Sequence, residues 1–203
     1  MQRKRIVKVV VRSFVVPACL LACLIVATIL EQRRTQAELA DVVSEYLSDE
    51  LLHDAHDWGS GRGILVVLQR EAQQPADLRL RWLWLFRWRP EFPQASLATR
   101  ASFILSNAIP STIHAPLHLP HGVDSVVVSR RELEQAEDIG FDQRFPHNLG
   151  YIAVSQGGFN AGKTEVIFYI DHFCGLCGGG GYILMRKVNG TWVVVDQRST
   201  WVS

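Results

Sequence analysis

The pattern of hydrophobic and polar positions changes character along the chain. Residues 13–30, SFVVPACLLACLIVATIL, carry no charge over eighteen positions. As a helix that run is about 27 Å long, close to the hydrocarbon thickness of a bilayer. Residues 35–56 then place Leu39, Val42, Val43, Tyr46, Leu47 and Leu51 at helical spacing, a stripe suited to docking on a domain. GSGRG (59–63) breaks that helix, and ILVVLQR (64–70) reads as a buried strand. A helix is expected over 95–106, after Pro93, whereas the Pro-punctuated 109–122 cannot be helical throughout. VDSVVVS (123–129) is a strand running into SRRELEQAED, where Ser129 and Glu132 have capping-box spacing. GFDQRFPHNLG (140–150) reads as a loop. From Tyr151 the segments YIAVS, EVIFYIDHF, GYILMRKV and TWVVVDQRSTWVS are β-branched and aromatic, with Asn189-Gly190 as a strong hairpin signal. The return strand after the Gly178–Gly181 run is expected to start near Tyr182.

These elements predict an α+β protein. An N-terminal transmembrane helix is followed by one domain, with an antiparallel C-terminal β-meander and helices packed on one face. The basic tail and signal anchor occupy 1–30 and the globular domain 31–203. Apolar Ile6, Val7 and Val9–Val11 can extend the span, making 6–30 the membrane contact, with Lys8 and Arg12 reaching the headgroups. Two other readings compete with the anchor. A cleaved signal peptide lacks a good A-x-A site. A lipoprotein signal could use Leu20-Leu21-Ala22-Cys23, but apolar LIVATIL follows Cys23.

Charge orients the span. Five Lys or Arg precede it, while Arg33 and Arg34 after it are diluted by Glu31, Glu38 and Asp41. The expectation is a single-pass protein of the cytoplasmic membrane, N-terminus cytoplasmic and C-terminal domain extracytoplasmic. Residues 31–203 hold 16 basic against 20 acidic side chains, a formal −4, which gives no electrostatic footprint for nucleic acid.

Two motifs invite a chemical reading. Gly157, Gly162, Lys163 and Thr164 satisfy the phosphate-loop pattern, which needs a helix after the threonine. Here Glu-Val-Ile-Phe-Tyr-Ile follows, a strand by local preference, so a glycine-rich hairpin loop is expected, with Lys163 solvated and no nucleotide or other cofactor bound. Cys174-Gly-Leu-Cys177 has redox spacing, but the glycines after it forbid the helix that would activate a thiolate. Two cysteines are half a zinc site, even with His172 as a third ligand. In an oxidising compartment the pair is expected to be a structural disulfide, Cys174 to Cys177, with no metal.

Other candidates are weaker. His53 and His56 lie one turn apart, and His114, His118 and His121 share the proline-rich loop, yet neither set is complete for a metal. Residues 77–93 interleave Trp82, Trp84, Phe86 and Trp88 with Arg79, Arg81, Arg87 and Arg89. Buried aromatics with arginine stems along the edge explain that stretch most simply, and a bilayer contact is the sharper alternative.

The C-terminal half resembles an uncharacterised bacterial domain family of small secreted or membrane-attached proteins. The matching residues are Phe103 to Asn107, VVVSRREL, Phe141 to Pro146, Gly150-Tyr-Ile152 and Ser155-Gln-Gly-Gly-Phe-Asn160. Cys174-Gly-Leu-Cys-Gly178, Gly190-Thr-Trp192 and Trp201-Val-Ser203 complete the pattern. The resemblance implies that GFN belongs to a hairpin of this domain, and it implies no activity.

Two functions follow. One is a non-enzymatic envelope module that binds a protein or lipid-headgroup partner. The other is a hydrolase-like enzyme with its site near the 141–147 and 171–177 loops. Its acid/base candidates are Asp171, His172, Asp142 and His147, and convergence of these four in a pocket would discriminate the two.

Overall fold

The computed structural model describes residues 31, 34–51, 64–73, 94–113, 116–174 and 177–203. The expected membrane span, Cys19 and Cys23, the Arg/Trp stretch at 77–93, and His53, His56 and His114 lie outside these residues. Among the described residues no helix is long and apolar enough to cross a membrane. The chain divides into a unit of residues 1–37, of which 31 and 34–37 are helical, and a compact unit of residues 38–203.

Helix α1 (residues 34–46) ends in a π-helical turn, Leu47–Leu51. Strand β1 (Ile64–Gln69) follows, then α2 (Leu97–Ser106), β2 (Val123–Val128), α3 (Arg130–Ile139) and the short α4 (Phe141–Arg144). The C-terminal half supplies β3 (Asn148–Val154), β4 (Gly158–Phe159), β5 (Glu165–Cys174), β6 (Cys177–Val188) and β7 (Thr191–Val202). All seven strands form one mixed sheet in the order β2-β1-β3-β5-β6-β7, with β4 paired to β5.

The antiparallel meander is present from β3 to β7. It closes through Asn189 and Gly190, both at positive φ, as a two-residue hairpin favours. Beyond the meander the sheet is parallel, since β1 runs parallel to both β2 and β3. One expectation is corrected: the helices do not share one face. Val66 and Leu68 of β1 join α1 residues Leu39, Val42, Val43, Tyr46 and Leu47 in one core, while Val67 between them joins Leu133, Ala136 and Phe145 of the α3–α4 side. Successive strand residues point to opposite faces, so the sheet is sandwiched. β5 and β6 show the same division: Phe168 and Ile183 face α1, whereas Ile167, Tyr169, Tyr182 and Leu184 pack with Phe103 and Ile104 of α2. Burial on both faces explains why EVIFYI reads as a continuous apolar run rather than an alternating one.

Local signals hold where their chemistry is short-range. The Ser129–Glu132 capping box forms with both of its bonds. Residues 140–150 are not a loop, however. Phe141–Arg144 is helical, and β3 already begins at Asn148. The glycine run is also not a turn, since Gly178–Gly181 lie inside β6.

Candidate functional site

The glycines of β6 make room. A Cβ on Gly180 would stand 2.0 Å from Asp171 Oδ1 and 2.3 Å from Trp201 Nε1. The cluster it admits is a buried carboxylate with three donors. Asp171 is 3% exposed, and Oδ1 accepts from Tyr169 Oη at 2.8 Å and Trp201 Nε1 at 2.7 Å. Oδ2 accepts from Gln73 Nε2 at 2.7 Å. Burial, and then the neighbouring Asp171, push the Tyr169 phenol above its ordinary value, which keeps it protonated as a donor. Trp201 also ends a row of three rings that crosses four strands, lying 5.3 Å from Phe173, which stacks in turn on Tyr151.

The four acid/base candidates do not converge. His172 follows Asp171 in β5 and so points to the opposite face, where its Nε2 lies 2.6 Å from the Leu149 carbonyl oxygen. Asp142 is exposed on α4 and accepts from Asn148 Nδ2 at 2.9 Å. His147 is exposed at φ 62°, in the turn entering β3. Among the described residues no group of three His, Cys, Asp or Glu could hold a metal, and His118 instead sits 3.1 Å from Asp41.

The phosphate-loop residues form a hairpin, β4 to β5. Asn160 Oδ1 accepts from the Thr164 and Glu165 amides, closing a turn in which Lys163 stands at φ 49°. Thr164 leads into strand β5, so no helix opens there. Lys163 is half-buried rather than solvated. At the other tip, Cys174 is opposite Cys177 in the β5–β6 ladder.

The site that sequence reasoning missed is an open cleft of roughly 840 Å³ beside the carboxyl ends of β1 and β2. Glu71 to Gln73, Pro110 to Thr112, and Arg130, Arg131 and Glu134 of α3 line it. Backbone bonds set its walls: Arg70 N to Val128 O, Ala72 N to Ser111 O and Gln73 N to Val154 O. Such crevices, outside the carboxyl ends of parallel strands where the connections diverge, are where open α/β sheets bind ligands. Here β1 connects outward to β2 on one side, while β3 leads away to β5 on the other. The amino end of α3 is already answered, since Glu71 Oε2 accepts from the Arg130 amide and Ser129 Oγ from Glu132. An anionic group entering the cleft therefore meets guanidinium groups rather than free amides. Gln73 joins this cleft to the buried Asp171. No local pattern could have revealed the cleft, because its walls come from segments about 40 and 60 residues apart in sequence, joined by the antiparallel Glu71–Thr112 bridge and by the parallel β1–β2 pairing.

Comparison with protein-family models, curated proteins and solved structures finds no match. The residues of the sequence pattern are used architecturally. Asn107 donates to the Phe103 and Gln156 carbonyls and accepts from the Gln156 amide, tying the end of α2 to the segment before β4. Gly150, at φ 87°, lets β3 pass against the Phe173 carbonyl, which a Cβ would meet at 1.9 Å.

A second buried carboxylate, Glu165, anchors α2 to the sheet. It accepts from Thr99 Oγ1 at 2.7 Å, the Ser96 amide at 2.8 Å and Arg186 Nε at 2.8 Å. Burial opposes its charge, but these bonds outweigh burial and hold the carboxyl down from 4.5 to about 2. The unfolded chain therefore binds the proton first as pH falls. The stabilisation is complete above pH 4.5 and is lost between 4.5 and about 2. Glu165→Gln should lower stability at neutral pH by on the order of 3 kcal/mol and flatten the acid limb. Urea unfolding from pH 7 to 2.5 checks this; an unchanged acid limb would refute the assignment.

Proposed function

We propose that the chain is a membrane-anchored extracytoplasmic binding module, held by residues 6–30, whose cleft beside Arg130 and Arg131 takes a polar segment of an envelope partner protein. The observation that carries the non-enzymatic reading is the commitment of Asp171 to three donors. Its carboxylate is committed to Gln73, Tyr169 and Trp201, while His172 points away from it. An acid/base pair needs a group free to exchange a proton with a substrate within hydrogen-bond reach. The cleft offers instead paired signs of charge, Arg130 and Arg131 against Glu71 and Glu134, which suits the recognition of a charged partner surface.

Two measurements test this reading. A periplasm-dependent reporter fused after Ser203 should be active in cells; activity of a cytoplasm-only reporter there would refute the topology. Co-purification of the full-length protein from detergent should enrich a partner that is lost in Arg130→Glu/Arg131→Glu. Enrichment indifferent to both substitutions would place recognition elsewhere.

The cysteines belong to the same reading. Residues directly opposite in an antiparallel ladder have Cα atoms about 4.5–5.5 Å apart, inside the range a disulfide spans. We take Cys174 and Cys177 as a structural bridge pinning the hairpin tip, contributing roughly 2 kcal/mol because the closed loop is tiny. Replacing both with Ser should lower the melting temperature by a few degrees without unfolding the protein. Two free thiols, or stoichiometric zinc, in mass spectra of the non-reduced native protein would overturn the bridge.

A further inference from the structure

Helix α2 carries large apolar side chains on both sides, and Arg100 is its one charged residue. Its inner side buries Thr99, Phe103 and Ile104 against β4 and β5. Its outer side carries Leu97, Ala98, Ala101, Ser102 and Leu105, without a charge. Leu97 is 77% exposed and Leu105 64%, and the row continues into Ile109 at 74%. A helix on a water-facing surface normally turns charged residues outward, and one that is apolar all round is normally covered. The charge pattern of the sequence around it is equally one-sided. None of the chain's 20 acidic residues lies between Glu91 and Asp124, and Arg100 is half-buried.

We propose that the outer face of α2, with Ile109, lies on the surface of an anionic phospholipid bilayer. The proposal rests on the reading that the chain is anchored. Three large side chains fall well short of the roughly 800 Å² that each partner contributes to a stable protein interface. A lipid surface does not need that area. It requires apolar side chains at the headgroup boundary and freedom from acidic repulsion. A tether also supplies the local concentration that lets a weak contact persist.

The test compares backbone hydrogen exchange of the full-length protein in nanodiscs of phosphatidylcholine alone and of phosphatidylcholine with a quarter phosphatidylglycerol. Exchange over residues 97–109 should slow in the anionic discs, on the order of tenfold, while α3 is unchanged. The slowing should vanish in Leu97→Asp/Leu105→Asp, whose exposed positions leave folding intact. Equal exchange in the two lipids overturns the proposal, as does equal slowing in detergent that grows with protein concentration, which would assign the face to a second copy. An alkaline carbonate wash separates the two layers of the argument. Release from anionic vesicles with α2 protection intact would remove the anchor and keep the contact. Retention without protection would remove the contact and keep the anchor.

Discussion

Asp171→Ala will cost about 2–4 kcal/mol, because it leaves Gln73 Nε2 and Trp201 Nε1 as half-buried donors without their acceptor and Tyr169 with only Thr200. That is a large part of the 5–15 kcal/mol by which domains of this size are stable, so the variant will be partly unfolded at 37 °C. Asp171→Asn will cost less, about 1–2 kcal/mol. Its remaining oxygen still accepts from Tyr169 and Trp201, and Gln73 need only turn its amide to accept from the new NH₂. Urea titration followed by far-UV circular dichroism separates the two substitutions. An Asp171→Ala variant within 1 kcal/mol of the parent would show that the carboxylate is not structurally committed, and would reopen it as a reactive group.

Gly158→Ala will be as damaging, while Gly162→Ala will be silent. The first Cβ would stand 2.3 Å from both the Cα and the amide nitrogen of Phe103, backbone atoms that move only if α2 moves. Overpacking against backbone costs about 3 kcal/mol or more here and should broaden thermal unfolding as Phe103 loses its edge contact with Tyr182. At Gly162 the nearest atom, Thr164 Oγ1, is 3.8 Å away, an ordinary contact. The contrast separates two uses of one motif. A phosphate loop depends on the glycine before its lysine, whereas this hairpin depends on the glycine beside α2. Melting curves of the two single variants decide between them, and equal losses would contradict the hairpin account.

What was legible in the sequence is what neighbouring residues settle among themselves. Ser129 and Glu132 announced their cap, Asn189-Gly190 its hairpin, and Glu165 to Ile170 a strand instead of the helix a phosphate loop requires. The sandwiching of the sheet was not legible, because the stripe Leu39–Val43–Leu47 says that α1 is covered without saying by which face. The glycine run misled for a related reason. Taken alone, four glycines resemble a turn, but Gly180 is small because Asp171 and Trp201 need its space, and those neighbours arrive from β5 and β7. Asp171 itself was visible as a candidate. Its commitment was not, since two of its three donors lie 98 and 30 residues away.

The placement of β1 carries a consequence for how the molecule is made. Ile64–Gln69 has only parallel neighbours, and their registers pair Ile64 with Val123 and Leu65 with Asn148. The segment leaves the ribosome with nothing to pair with. At 5–20 residues per second it waits roughly 3–12 s for the first partner and 4–17 s for the second. For that interval an uncharged, proline-free ILVVLQ is available to any other nascent copy, the composition from which intermolecular strands nucleate. Yield in the cell will therefore be governed by whatever shields six residues during those seconds, more than by the equilibrium stability of the finished sheet.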